Sequence, residues 1–186
     1  MNLTFKQLRE ANLRRLPVFK NSKGEPAHSK PDGSDWSNDQ WFQALIGEVG
    51  EYANFAKKYI RGDIGPATFL KEAKNELADV QIYLDILAFR CNVDINIVTG
   101  CESMSELRDF SKESLGELIH ELDGATVFRQ LIIYAGEMTD GYRPETFGRF
   151  QFMLDRCALT LGIDLSEATR EKFNAVSDRI GCDVYL

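Results

Sequence analysis

An all-α fold is predicted for this chain, an antiparallel helical bundle without a sheet, and three observations predict it. Apolar residues recur at three- to four-residue steps along two long stretches, 38–61 and 66–91. Each stretch is bounded by helix start and stop signals rather than by hairpin-turn signals. Acidic residues also pair at i, i+3 spacing, Glu48 with Glu51 and Glu76 with Asp79, so each pair shares one helix face.

In order along the chain, a first helix is expected from Thr4 to Arg15, with Phe5, Leu8 and Ala11 inward, and Pro17 stops it. Residues 20–37 (KNSKGEPAHSKPDGSDWS) are polar and rich in Gly, Pro and Ser, hence loop. Ser37 and Gln40 form a capping box for the next helix, Asn38 to Arg61, which Gly62 ends. Its apolar line is Trp41, Leu45, Val49, Tyr52, Ala56 and Tyr59. Pro66 opens a helix to Cys91 whose apolar line runs through Phe69, Ala73, Leu77, Val80, Leu84, Leu87 and Cys91. Glu72, Glu76, Asp79 and Tyr83 lie on the neighbouring face, so the acids flank the packing seam, where a bundle builds a metal site. Helices are expected at 125–139 and 144–161, split by Asp140-Gly141, with further helix before Gly124, and a last helix from Ser166 to Gly181 with Phe173, Val176 and Ile180 inward.

Residues 83–95 (YLDILAFRCNVDI) and 153–165 (MLDRCALTLGIDL) echo one another 70 residues apart. At that offset Glu48, Glu51, Glu76 and Asp79 fall on Leu118, Glu121, Thr146 and Arg149. A duplicated hairpin that lost its acids and kept its packing role is one reading of 96–163; chance likeness of amphipathic helices is the other.

The 186 residues suit one domain with a sizeable core, and 44% hydrophobic with 27% charged residues is ordinary for a soluble protein. No apolar run reaches the length of a membrane span, and MNLTFKQLREANLRRL lacks the apolar segment of a signal peptide; a cytoplasmic protein with no membrane partner is expected. A net charge of −7 without basic runs argues against a nucleic-acid polymer as partner. Cys91, Cys101, Cys157 and Cys182 form no C-x-x-C pair and read as reduced. There is no phosphate loop, zinc motif or nucleophile elbow, and His28 and His120 are the only histidines, so the chemistry must come from carboxylates.

If the second long helix folds back on the first, four carboxylates converge. They repel one another unless a cation lies between them. An all-oxygen site suits a hard divalent ion, Mg²⁺ with Mn²⁺ as a possible substitute, working on a phosphorylated small molecule. Glu48, Glu51, Glu76 and Asp79 are therefore the expected metal ligands, with four solvated helix acids as the alternative. Glu51 or Glu76 is the expected general base toward water.

Glu-x-x-Glu, a gap of this size and Glu-x-x-Asp, embedded in ALIGEVGEYANFAKKYIRGD and ELADVQIYLDILAFRCNVDI, resemble the metal-binding helices of the MazG-like nucleoside triphosphate pyrophosphohydrolases. DLSEATREKFNAVSDRIG is similar to that family's closing helix. The resemblance covers 36–95 and 164–181. It implies a single MazG-like domain: loop 20–37, metal-binding hairpin 38–95, additional helices 96–163, and closing helix and tail 164–186. It also implies Mg²⁺-dependent cleavage of a nucleoside triphosphate to monophosphate and pyrophosphate by a metal-activated water, and a homodimer that the extra hairpin decorates, with the extra hairpin supplying the bundle partner internally as the other reading. A dUTPase-like preference is a variant within this chemistry. A non-catalytic nucleotide-sensing or protein-binding module is the alternative outside it.

For the substrate, Lys58 falls nearest the carboxylate face by helical angle, with Asn54 off to its side; either could meet phosphate, or Lys58 could be a solvated cation at a helix end. Trp36, in the polar loop, is a candidate to stack on the base, whereas Trp41 reads as core. Tyr83 is implied near the nucleotide, and Lys172, Asn174 and Arg179 at phosphate or sugar, by the resemblance. The chain departs from the family pattern at Arg179-Ile180-Gly181. Glu72 reads as a salt-bridged or solvated acid, His28 as a surface residue and His120 as structural.

Overall fold

The computed structural model describes residues 2–116 and 124–186. Eight α-helices are found among them: α1 (Phe5–Arg15), α2 (Asn38–Ile60), α3 (Pro66–Arg90), α4 (Ile95–Thr99), α5 (Met104–Leu115), α6 (Gly124–Met138), α7 (Pro144–Thr160) and α8 (Leu165–Ile180), with a 3-10 turn at Leu16–Val18. Among the described residues there is no strand, only isolated bridges at Thr4–Ser103 and Lys20–Pro26. Among the described residues no helix is long and apolar enough to cross a membrane. His120, Leu118 and Glu121 lie outside the described residues.

Local signals set the boundaries. Ser37 and Gln40 close the expected capping box at the start of α2, and Pro66 occupies the first turn of α3. At α1 the cap is Thr4 itself, which forms a second capping box with Gln7, so the helix begins one residue later than its pattern implies.

The two central helices, α3 and α7, carry the core and share one plan. Gln81 and Gln151, both fully buried, exchange amide hydrogen bonds of 2.9 and 2.7 Å. Arg9 Nε donates to Asp85 at 2.9 Å, and Arg108 Nε donates to Asp155 at 2.8 Å. The same two arginines reach the Val93 and Ile163 carbonyls. Thr99 and Thr169 each bond the carbonyl four residues back at 2.7 Å. Before α1 and α5, Phe5 N donates to Glu102 O and Met104 N to Leu3 O. Each bond has its mate under a local two-fold that relates α1, α2, α3 and α4 to α5, α6, α7 and the start of α8. Buried Trp41, Leu45, Val49 and Tyr52 on α2 are matched in spacing by Val127, Leu131, Ala135 and Met138 on α6. The described residues from 96 to 116 and from 124 to 163 are thus built on the plan of the first half. The α2 counterparts follow a different offset from the α3 counterparts, because α6 and α7 have 15 and 17 residues against 23 and 25 in α2 and α3.

Candidate metal centre

Helices α2 and α3 lie antiparallel, and the carboxylate oxygens of Glu48, Glu76 and Asp79 come within 4.8 Å of one another. Among the described residues this is the one group of His, Cys, Asp and Glu close enough to hold an ion. Glu51 is more exposed and stands outside that tight group, but lines the same cavity of about 300 Å³. Burial first, then the neighbouring acids, push Glu48 and Glu76 up to about 7. Asp79 is also raised by burial, although Lys172 Nζ donates to it at 2.7 Å. Several acids compressed around one ammonium fit a hard divalent cation: the donors are all oxygens, and negative charge is in excess.

Helix α8 crosses α3 and forms the opposite wall. Lys74 and Glu171 tie the two together at 2.7 Å, which holds Lys172 and Arg179 over the cavity. Tyr83, one turn beyond Asp79, lines it too, its hydroxyl pushed up to about 12 by burial and then by Glu48 and Asp79. Of the residues singled out from the sequence, the fold therefore brings together Glu48, Glu51, Glu76, Asp79, Tyr83, Lys172 and Arg179.

Four others stand elsewhere. Trp36 packs on His28 and Trp41, at 4.9 and 4.7 Å between ring centres, behind the wall rather than in it. Lys58 lies over the Phe55 ring at 4.9 Å, about two turns past Glu51 toward the hairpin tip. Asn54 is exposed on the same outer stretch. Asn174 pins the chain end through two bonds to the Leu186 backbone, 2.8 and 3.1 Å. None of the four lines the cavity. Glu72 does not either; its charge helps to raise Glu76.

Three contributors come from outside the acidic motifs. His28 is buried, not on the surface, stacked on Trp41 at 4.9 Å as part of the cavity wall. Its loop is anchored where Trp41 Nε1 donates to the Gly33 carbonyl at 3.0 Å; a Cβ on Gly33 would lie 2.9 Å from Trp41 and Leu16, and its φ is +67°. Asn12 is 3% exposed and donates its amide to Asp85 Oδ2, 2.9 Å. A carboxylate only accepts, so this bond fixes the flip of the amide and leaves Oδ1 buried without a partner, while the residue itself lines the cavity. Arg15 is 5% exposed, lies 3.4 Å over the Phe173 ring and donates to the Phe173 carbonyl at 2.7 Å. The signal for both was present: Asn12 and Arg15 continue the inward line of Leu8 and Ala11, where polar residues need a buried reason to be.

The corresponding face of α6 and α7 carries Tyr134, Glu137, Thr146 and Arg149. Arg149 takes the position of Asp79 and pairs with Glu137 at 3.2 Å. Comparison of the chain with protein-family models, with curated proteins and with solved structures returned no match.

Proposed function

We propose that the protein is a Mg²⁺-dependent nucleoside triphosphate pyrophosphohydrolase, releasing pyrophosphate and the monophosphate. The observation that carries this reading is the convergence of Glu48, Glu76 and Asp79 within 4.8 Å, at one end of a cavity whose other end is walled by His28, Trp41 and Asn12. A cavity that is anionic at one end and aromatic at the other matches a ligand with a phosphate chain at one end and a flat ring at the other.

Bound Mg²⁺, or Mn²⁺ in its place, would hold phosphate oxygens against Glu48, Glu76 and Asp79 and make water a nucleophile near neutral pH. Glu51, which lines the cavity outside the tight group, is suited to take the proton from that water. Lys172 would lend its ammonium to the phosphate chain, and Tyr83 would steady the sugar.

The acid-bearing hairpin with α8 across it supports a MazG-type bundle, with α6–α7 as an additional hairpin before the closing helix. A second hairpin in the same chain favours the dUTPase-like variant, since dimeric dUTPases carry added helices. The homodimer belongs to the same reading, and sedimentation equilibrium tests it.

The deciding experiment is pyrophosphate release from the eight common nucleotides plus dUTP and dITP, with Mg²⁺, for wild type and Glu48→Ala. Matched pyrophosphate and monophosphate, lost in the variant, establish the reaction and rank the bases. Nucleotide binding without release under Mg²⁺ or Mn²⁺ replaces the enzyme by a sensing module.

A further inference from the structure

Two half-buried arginines in this molecule are each met by a buried carboxylate. Arg9, with a side chain 16% exposed, faces the Asp85 carboxylate at 2.9 Å, and Arg108, 14% exposed, faces Asp155 at 2.8 Å. Removing a guanidinium from water is costly, and an acid of opposite charge offsets the cost. Arg15 is more deeply buried than either, yet among the described residues it makes no ion pair. Its guanidinium rests on the Phe173 ring and spends one donor on the Phe173 carbonyl, a neutral acceptor. A guanidinium has five N–H donors, so most of this one is left for the cavity that Arg15 lines.

A second guanidinium stands near the first. Arg179, from α8, lines the same cavity and makes no ion pair among the described residues. Burial, and behind it the repulsion of Arg179, pull Arg15 down to about 10, while Asp79 and Tyr83 act in the opposite sense. The two arginines come from opposite ends of the sequence, one on α1 and one on α8, and neither belongs to the acid-bearing hairpin. Two like charges converging on open space, one of them fixed by a ring and a carbonyl, form a receptor waiting for an anion.

We propose that Arg15, together with Arg179, forms an anion subsite that grips a phosphoryl group of the bound ligand beside Asp79 and Tyr83. The planar fork of Arg15 matches two oxygens of a phosphate, and the Phe173 stack orients it in advance, so little side-chain freedom is lost on binding. The acids hold phosphate oxygens through a cation; the arginines meet oxygens that the cation leaves free. Arg15 thereby couples α1 to chemistry that its sequence motif does not announce. This inference rests on reading the cavity as a triphosphate site, and the test separates the two.

Inorganic pyrophosphate with Mg²⁺ is titrated calorimetrically into wild type, Arg15→Gln, Arg15→Lys and Arg179→Gln. Arg15→Gln is expected to weaken pyrophosphate about 10- to 100-fold, the range of a lost charge-assisted contact. Arg15→Lys should recover part of the affinity, and Arg179→Gln should lose a few-fold. The affinity for a phosphate-free deoxynucleoside should stay as in wild type, a readout that a merely structural arginine would not spare. Unchanged pyrophosphate affinity in Arg15→Gln, in an enzyme that turns over nucleotides, overturns the subsite and leaves the hydrolase standing. Arg15-dependent pyrophosphate binding in a protein that hydrolyses no nucleotide keeps the subsite and removes the hydrolase. If Arg15→Gln does not fold, exposed Arg179→Gln decides: unchanged pyrophosphate affinity there overturns the proposal.

Discussion

The α2–α3 and α6–α7 hairpins are built on one plan and serve opposite ends. In the first, Glu48, Glu76 and Asp79 face each other across a cavity with negative charge in excess. In the second, the matching face presents Tyr134, Thr146 and Arg149, and Glu137 is neutralised by Arg149 at 3.2 Å. The covers differ as well. Helix α8 stands over α3 with room for a ligand, whereas α4 closes on α7 so tightly that a Cβ on Gly148 would lie 2.9 Å from the Val98 carbonyl. One hairpin keeps negative charge in excess and its space open, and the other pairs the charge and fills the space. The difference teaches that a site is defined less by the fold than by what a fold leaves unsatisfied.

That contrast can be broken most directly at the acids. Glu48→Ala should lower turnover by roughly 10²-fold or more by removing a charge that holds the cation. Glu137→Ala, at the matching hairpin, should leave turnover and Mn²⁺ affinity as in wild type. An equal loss in both would dissolve the distinction between the hairpins.

The next largest effect probes what the halves share. Asp155→Ala leaves Arg108 without a carboxylate and should cost about 3–5 kcal/mol in urea unfolding, and Asp85→Ala should cost less than that because Arg9 keeps the more exposed Asp94 at 3.5 Å. Only Asp85→Ala should also change nucleotide affinity, because Asp85 orients Asn12. Gly148→Ala drives a methyl against the Val98 carbonyl and should cost about 1–3 kcal/mol, without effect on metal binding.

Acidity supplies a subtler test. Glu48 and Glu76 rise from 4.5 to about 7 on folding. At these two acids the folded protein therefore holds more protons than the unfolded chain between those values, and their contribution to stability falls as pH rises from about 4.5 to 7, against a smaller opposite contribution from buried His28. Without metal, Tm should be lower at pH 8 than at pH 5.5, and Mg²⁺ should restore it at pH 8 by binding the ionised acids. A metal-free Tm that does not fall over that range would deny the crowding of charge at the first hairpin. The smallest effect is expected of Arg149→Met, whose side chain is 57% exposed: about 1 kcal/mol or less, read by the same melts.

Much of this was legible in one dimension. The periodicity of α2 and α3, the Ser37–Gln40 cap and Pro66 determine two long helices. The i, i+3 acids place four carboxylates on their facing sides, because helical geometry is local. The likeness of YLDILAFRCNVDI to MLDRCALTLGIDL carries the alignment of α3 with α7, down to Arg149 in the place of Asp79. A constant offset does not extend to α6, since shortening a hairpin at its tip shifts one helix against the other without altering either pattern.

What the tertiary structure alone decided is which polar residues meet. Lys58 and Asn54 share a helix with the acids and are carried past them by the rise of that helix. Trp36 is drawn into an aromatic cluster with His28 and Trp41, and His28 rather than Trp36 reaches the wall. Asn174 is taken by the chain end, while Arg15 and Asn12 arrive from a helix far away in sequence. Spacing specifies what lies on one face of one helix, because backbone hydrogen bonds join near neighbours. Contacts between helices depend on packing of the whole core, and no local pattern records them.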